Sequence, residues 1–180
     1  MEQSDLRGEL ERMHSAGFGW ALCCCRHRRD EAEEVLQTAY LKAFEGTASF
    51  DGGSSLRTWF FAVIRRTALE QQRRQWLRRR IFDKWLVGES SPPFPSDPEI
   101  LASKSETSRT LLGALATLSP RQREVLHLVF YQDLAVEEAS RVLKIPVGTA
   151  RTHFDRGKRQ LRKILAQKIL PQQEAHHDRR

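Results

Sequence analysis

Apolar residues along this chain recur at intervals of three, four and seven, and no run alternates cleanly enough to suggest a strand, so the pattern predicts helices throughout. The clearest amphipathic stretch places Val147, Ala150, Phe154, Leu161 and Leu165 on one side. Arg151, Thr152, Asp155, Arg156, Arg159 and Arg162 lie on the other. One face suits a core and the other suits a polyanion with hydrogen-bonding edges to read. A short helix over 136–143 precedes it, joined only by Lys144-Ile145-Pro146. Two short helices, a tight turn and a basic second helix make the helix-turn-helix pattern, whose second helix enters the major groove of DNA. Upstream, Ser119-Pro120-Arg121-Gln122 has the form of a capping box with proline at the first helical position, and so starts a third helix.

The N-terminal half predicts a helix over 5–14, a break at Gly17-Phe18-Gly19 and a second short helix over 20–27. Asp30 and Glu33 have capping-box spacing, which predicts the start of a helix running to Phe44, with Gly46 suited to its end. Residues 50–55 read as a loop, followed by a long helix over 56–80 with Leu56, Trp59, Phe60, Val63, Ile64 and Ala68 along one face. Arg57, Phe61 and Arg65, four apart, set an aromatic ring between two guanidinium groups on a face away from that stripe. Such an arrangement suits stacking on an unpaired base. Trp59 and Phe60 fit core packing as well as contact. Residues 88–98 hold four of the seven prolines, which exclude helix and central strand. The expected architecture is all-α, with two small helical domains over 1–81 and 106–170, a Pro/Ser-rich linker over 82–105 and a tail over 171–180.

Charge sharpens the picture. The 180 residues carry a formal net charge of +7, and fourteen of the thirty Lys and Arg fall within 65–80 and 151–168, one window in each half. Clustered basic charge points to nucleic acid before anionic membrane. No stretch approaches the ~20 apolar residues of a membrane span, and the polar start lacks the layout of a secretory signal. A cytoplasmic protein without membrane insertion is expected. Cys23, Cys24 and Cys25 are consecutive, and a helix splays successive side chains by about 100°. Buried, reduced thiols are therefore favoured over a redox sensor or a zinc site with His14 or His27, and His176-His177 reads as part of a disordered tail rather than a ligand site. The absence of a phosphate-cradling loop, zinc-ligand spacing or a Ser/His/Asp arrangement argues against an enzyme and leaves no cofactor expected.

The turn-and-helix string Ile145-Pro146-Val147-Gly148-Thr149-Ala150-Arg151-Thr152 resembles the fourth conserved region of the extracytoplasmic-function (ECF) sigma factors. Residues 32–44 and the SSLRTWFFAVIRR string of 54–66 resemble the second conserved region of the same family. The resemblance implies a dissociable subunit that lends RNA polymerase promoter recognition and strand opening, with core polymerase, promoter DNA and an anti-sigma factor as partners. It places Glu33, Glu34, Val35, Leu36, Gln37, Tyr40 and Lys42 on a helix that docks on the largest polymerase subunit, although Leu36 and Ala39 read better as core. It assigns Arg57, Trp59, Phe61, Arg65, Arg66, Arg73 and Arg74 to the downstream element and melting, with Arg78, Arg79 and Arg80 as further backbone contacts. Arg66 stands where the family usually has Asn, which helps hold a flipped base.

In the C-terminal domain the resemblance assigns the upstream element to Arg151, Thr152, Asp155 and Arg156. Arg can bridge guanine O6 and N7, and Thr can bond a base or pack on a thymine methyl. Asp155 reads as orienting Arg151 or Arg156. Lys144 occupies a turn position where the family more often has Gly, which predicts left-handed backbone at a cost of about 1 kcal/mol. A stand-alone helix-turn-helix regulator is the alternative. It leaves the 32–44 helix and the Arg57–Phe61–Arg65 face without a role.

Overall fold

The computed structural model describes residues 3–83 and 106–177, without the side chains of 3–4, 79, 81–83, 106–109 and 168–177. Eight helices are found among them: α1 Gln3–Arg12, α2 His14–Cys24, α3 Arg29–Phe44, α4 Leu56–Asp83, α5 Glu106–Ala116, α6 Pro120–Phe130, α7 Val136–Leu143 and α8 Val147–His177. No strand occurs among the described residues. Two compact units result, α1–α4 forming one and α5–α8 the bulk of the other. The Pro/Ser-rich stretch lies outside the described residues, apart from its first two positions, which α4 absorbs.

In the first unit α2, α3 and α4 pack against one another, and α1 lies on α2. The centre is α2, which buries Gly17, Trp20, Ala21, Cys23 and Cys24. A helix apolar on all sides belongs in the middle of a bundle, and Trp20 there is fully buried, its indole Nε1 donating to the Phe61 carbonyl at 2.9 Å. The expected break at Gly17-Phe18-Gly19 does not occur. The chain breaks at Met13, and Gly17 sits inside α2 because a Cβ there would lie 3.3 Å from Leu36 and 3.4 Å from both Phe60 and Ile64. Glycine here serves close helix packing.

The expected Asp30 capping box is also absent. α3 starts at Arg29, with Arg28 at the N-cap making no side-chain cap. Asp30 and Glu31 therefore lie in the first turn, where their charge complements the helix dipole. Glu33 instead pairs with Arg29 at 3.0 Å. At the other end the helix stops after Phe44, and Gly46 takes φ +74°, as its position predicts.

The second unit buries Ala114, Leu118, Val125, Leu126, Leu128, Leu134, Ala139 and Ala150. The Ser119 box forms as expected, its hydroxyl accepting from Gln122 N–H while the Gln122 side chain accepts from Ser119 N–H. α8 packs on both α5 and α6. It approaches α6 closely at Gly157, where a Cβ would come within 2.9 Å of Leu126 and 3.2 Å of Gln122. α8 continues to His177, so most of the expected tail over 171–180 is helical.

The three cysteines are buried and free, and no metal-holding group of three His, Cys, Asp or Glu occurs among the described residues. Burial pushes the Cys25 thiol up to about 12, with Glu31 and Glu34 adding to the shift and Arg28 opposing it. A thiol held protonated is unreactive. Iodoacetamide at pH 8 should label Cys25 only after denaturant is added, as peptide mass spectrometry would report, and rapid labelling of the native chain would contradict the burial. The raised folded value also carries a sign. The thiol's contribution to stability is complete below its ordinary value of 9.0 and is lost as pH rises toward 12.

Candidate functional site

The helix-turn-helix forms where the spacing predicts it. α7 covers 136–143, and Ile145 N–H closes the turn by donating to Ser140 O at 3.1 Å. Lys144, at φ +51°, takes the left-handed conformation expected of it. Ala150 is fully buried and Gly157 is buried against α6, so the opposite side of α8 faces outward. Arg151, Thr152, Asp155, Arg156, Arg159 and Arg162 are all exposed on it. Thr152 Oγ1 donates back to Gly148 O at 2.9 Å, which engages its proton and leaves the exposed side chain its methyl and acceptor capacity. The acid that holds Arg151 is Glu137 of α7, at 2.6 Å, and not Asp155. α7 itself is started by Glu138, whose carboxylate accepts from Ala135 N–H at 3.0 Å.

In the first unit the face expected to stack on a base is closed. Phe61 is 0% exposed, covered by Trp20 of α2, and Arg65 is 6% exposed. The Phe61 ring meets Trp20 at a centroid distance of 6.4 Å, and the Arg57 guanidinium lies 5.5 Å over it. Trp59 is partly buried, with Nε1 donating to Ser49 O at 3.0 Å and its ring 5.5 Å from Phe50, and Trp76 further along is 53% exposed. Further along α4, Arg66, Arg73, Arg74, Arg78 and Arg80 are exposed, and Arg80 lies over the Trp76 ring at 4.6 Å. The Arg79 side chain lies outside the described residues.

Arg66 is not isolated on that surface. Its Nε donates to Glu70 at 3.0 Å, and Lys42 reaches the other Glu70 oxygen at 2.6 Å and Thr67 at 3.2 Å. Bonding to Lys42, then to Arg66, holds the Glu70 carboxyl below its usual range despite partial desolvation. Lys42 thus joins α3 to α4.

On α3, Val35 is 0% exposed and belongs to the core, contrary to its expected place on a docking surface. Leu36 and Ala39 are buried, as the apolar pattern favours. Tyr40 is half-buried, stacked on Phe44 and hydrogen-bonded to Leu10 O and His14. Glu33, Glu34 and Gln37 are exposed. Leu41, absent from the expected set, is 56% exposed on the same side as Gln37, one turn away. It borders a groove of about 640 Å³ lined also by Arg7, Glu11, His14, Gln37, Tyr40 and Phe44.

Two helical units, one ending in an exposed basic recognition helix and one carrying an arginine-lined helix, define a modular DNA-binding protein. Comparison with known proteins specifies it. The sigma-70 region 2 family matches residues 17–78 and the sigma-70 region 4 family matches 114–163. The RNA polymerase sigma factor YlaC of Bacillus subtilis is 30% identical over 141 residues, covering 76% of this chain and 79% of that protein. The ECF sigma factor SigW of the same organism is 28% identical over 146 residues, covering 75% of each. The sigma factor RpoE of Bartonella quintana, solved with the anti-sigma factor NepR, superposes with a TM-score of 0.69 at 25% identity, over 89% of this chain and 96% of that one. The chain belongs to the ECF group of the sigma-70 family of RNA polymerase sigma factors. It acts in transcription initiation, giving the polymerase promoter recognition and strand opening. No helix among the described residues is long and apolar enough to cross a membrane.

Proposed function

We propose a division of labour between the two units, acting in the cytoplasm without any catalytic centre of their own. Residues 1–81 dock on core polymerase and handle the downstream element, and residues 106–170 read the upstream element. The outward face of α8 carries this assignment, because Arg151, Thr152, Asp155 and Arg156 are exposed together opposite the side that packs on α6. Docking falls to Glu33, Glu34, Gln37 and Leu41 of α3, an apolar side chain with polar margins of the kind helix-on-helix contacts use. Trp59 takes the stacking role on unpaired DNA, and Arg66, Arg73 and Arg74 hold the backbone. Tyr40 and Lys42 brace α3 from within. An anti-sigma factor is a further partner of this chain, by likeness to the complex of RpoE with NepR.

Run-off transcription with purified core polymerase tests the whole reading. Specific transcripts should require the chain, while the free chain should bind duplex promoter DNA weakly. Tight sequence-specific binding by a dimer of the free chain would support a stand-alone regulator instead.

A further inference from the structure

The ion pair between Arg151 and Glu137 joins the two helices of the helix-turn-helix across its turn. Arg151 Nη2 lies 2.6 Å from Glu137 Oε1, with the side chains 65% and 46% exposed. Glu137 is the second residue of α7 and Arg151 the fifth of α8, so the bond exists only because the Lys144–Pro146 turn folds one helix start toward the other. An exposed pair of this kind adds little to folding stability. Its position gives it another use. Arg151 has five N–H donors in a rigid fork, and the bond to Glu137 occupies one of them. The remaining donors stay outward, on the face of α8 that also carries Thr152 and Arg156.

We propose that Glu137 is a specificity-determining positioning residue. It holds the Arg151 guanidinium against the start of α8 with its free edge outward, aimed at a guanine, and its own negative charge opposes placement of that site against phosphate. This rests on the reading that α8 enters the major groove. Without Glu137, a long and flexible arginine can swing to the nearest phosphate, where it adds affinity for any sequence and reads none. The acid therefore exchanges indiscriminate attraction for discrimination at one base pair.

The experiment uses the full chain bound to core polymerase and a pool of promoter duplexes randomised across the upstream element, with bound and unbound fractions sequenced. Binding to a promoterless duplex is measured alongside at several salt concentrations. Arg151→Ala should relax discrimination at one base pair, and Glu137→Ala should relax the same pair by about tenfold and no other. Glu137→Ala should also raise affinity for the promoterless duplex and steepen its salt slope by about one, since a freed arginine gains one phosphate. Glu137→Gln keeps the acceptor and drops the charge, so it should hold much of the discrimination while showing the raised background affinity. Glu137→Ala combined with Arg151→Ala should be no less selective than Arg151→Ala alone, because both act through one contact. The proposal is overturned if Glu137→Ala leaves discrimination unchanged, relaxes every position alike, or adds to Arg151→Ala. If Arg151→Ala alters no position, the assignment of α8 to the upstream element fails instead.

Discussion

Phe61→Ala is expected to destabilise the α1–α4 unit by about 3–5 kcal/mol. The ring is fully buried at the meeting of α2 and α4, against Trp20, whose indole nitrogen bonds the Phe61 carbonyl. Deleting the ring removes its burial and leaves a cavity walled by rigid helices. A domain typically has about 5–15 kcal/mol to lose, so the variant should sit near the edge of folding. Urea unfolding followed by tryptophan fluorescence would register the change, because Trp20 is buried next to the deletion. Phe61→Leu keeps most of the apolar bulk and should cost far less. Trp59→Ala should show a different profile, with a smaller loss of stability than Phe61→Ala and a large loss of permanganate-reactive thymines in the promoter, since its ring is only partly buried whereas that of Phe61 is fully buried. A Phe61→Ala protein of normal stability but unable to open DNA would place the ring on the surface and refute the packing.

That contrast also marks where sequence periodicity stops being informative. The i, i+4 spacing of Arg57, Phe61 and Arg65 is real, but spacing alone does not tell an exposed face from one covered by a third helix. α2 supplies the cover, and α2 is itself hard to read. It is apolar all round, so it has no stripe, and its two glycines resemble punctuation, whereas Gly17 in fact admits Leu36, Phe60 and Ile64 at close range. Val35 is misplaced for the same reason. Gly157 is the counterpart in the second unit, a close approach with no local signature in the sequence.

What periodicity and turn chemistry do determine is local. The limits of α7, the Ser119 box, the stop after Phe44 and the left-handed Lys144 each follow from a few adjacent residues, and each is found. The outward face of α8 is legible because Ala150, Phe154, Leu161 and Leu165 mark the other side, although Val147, expected on that stripe, is exposed. Glu137 is not, since its bond to Arg151 depends on the angle between two helices rather than on either one. Asp30 shows how narrow the local rules are. A helix starting two residues earlier turns a capping residue into a first-turn acid.

The two basic helices should differ in kind when their arginines are removed. Arg156 is exposed on the outward face of α8, opposite the α6 contact, where an arginine can bridge two acceptors of one guanine. Arg156→Ala is expected to cost about 1–3 kcal/mol of discrimination, roughly 5- to 150-fold, at a single upstream position. Arg78 is exposed near the end of α4 among Arg73, Arg74 and Arg80. Such a cluster neutralises phosphates, and losing one member should weaken all promoters alike and reduce the slope of log affinity against log salt by about 1. Titrating polymerase holoenzyme against promoter duplexes with single substitutions, at several salt concentrations, separates the two effects. Arg156→Ala should change the ranking of the duplexes, whereas Arg78→Ala should keep the ranking and shift every value together. Identical behaviour in the two variants would mean that α8 holds the backbone and does not read bases, and the division of labour between the units would fall with it.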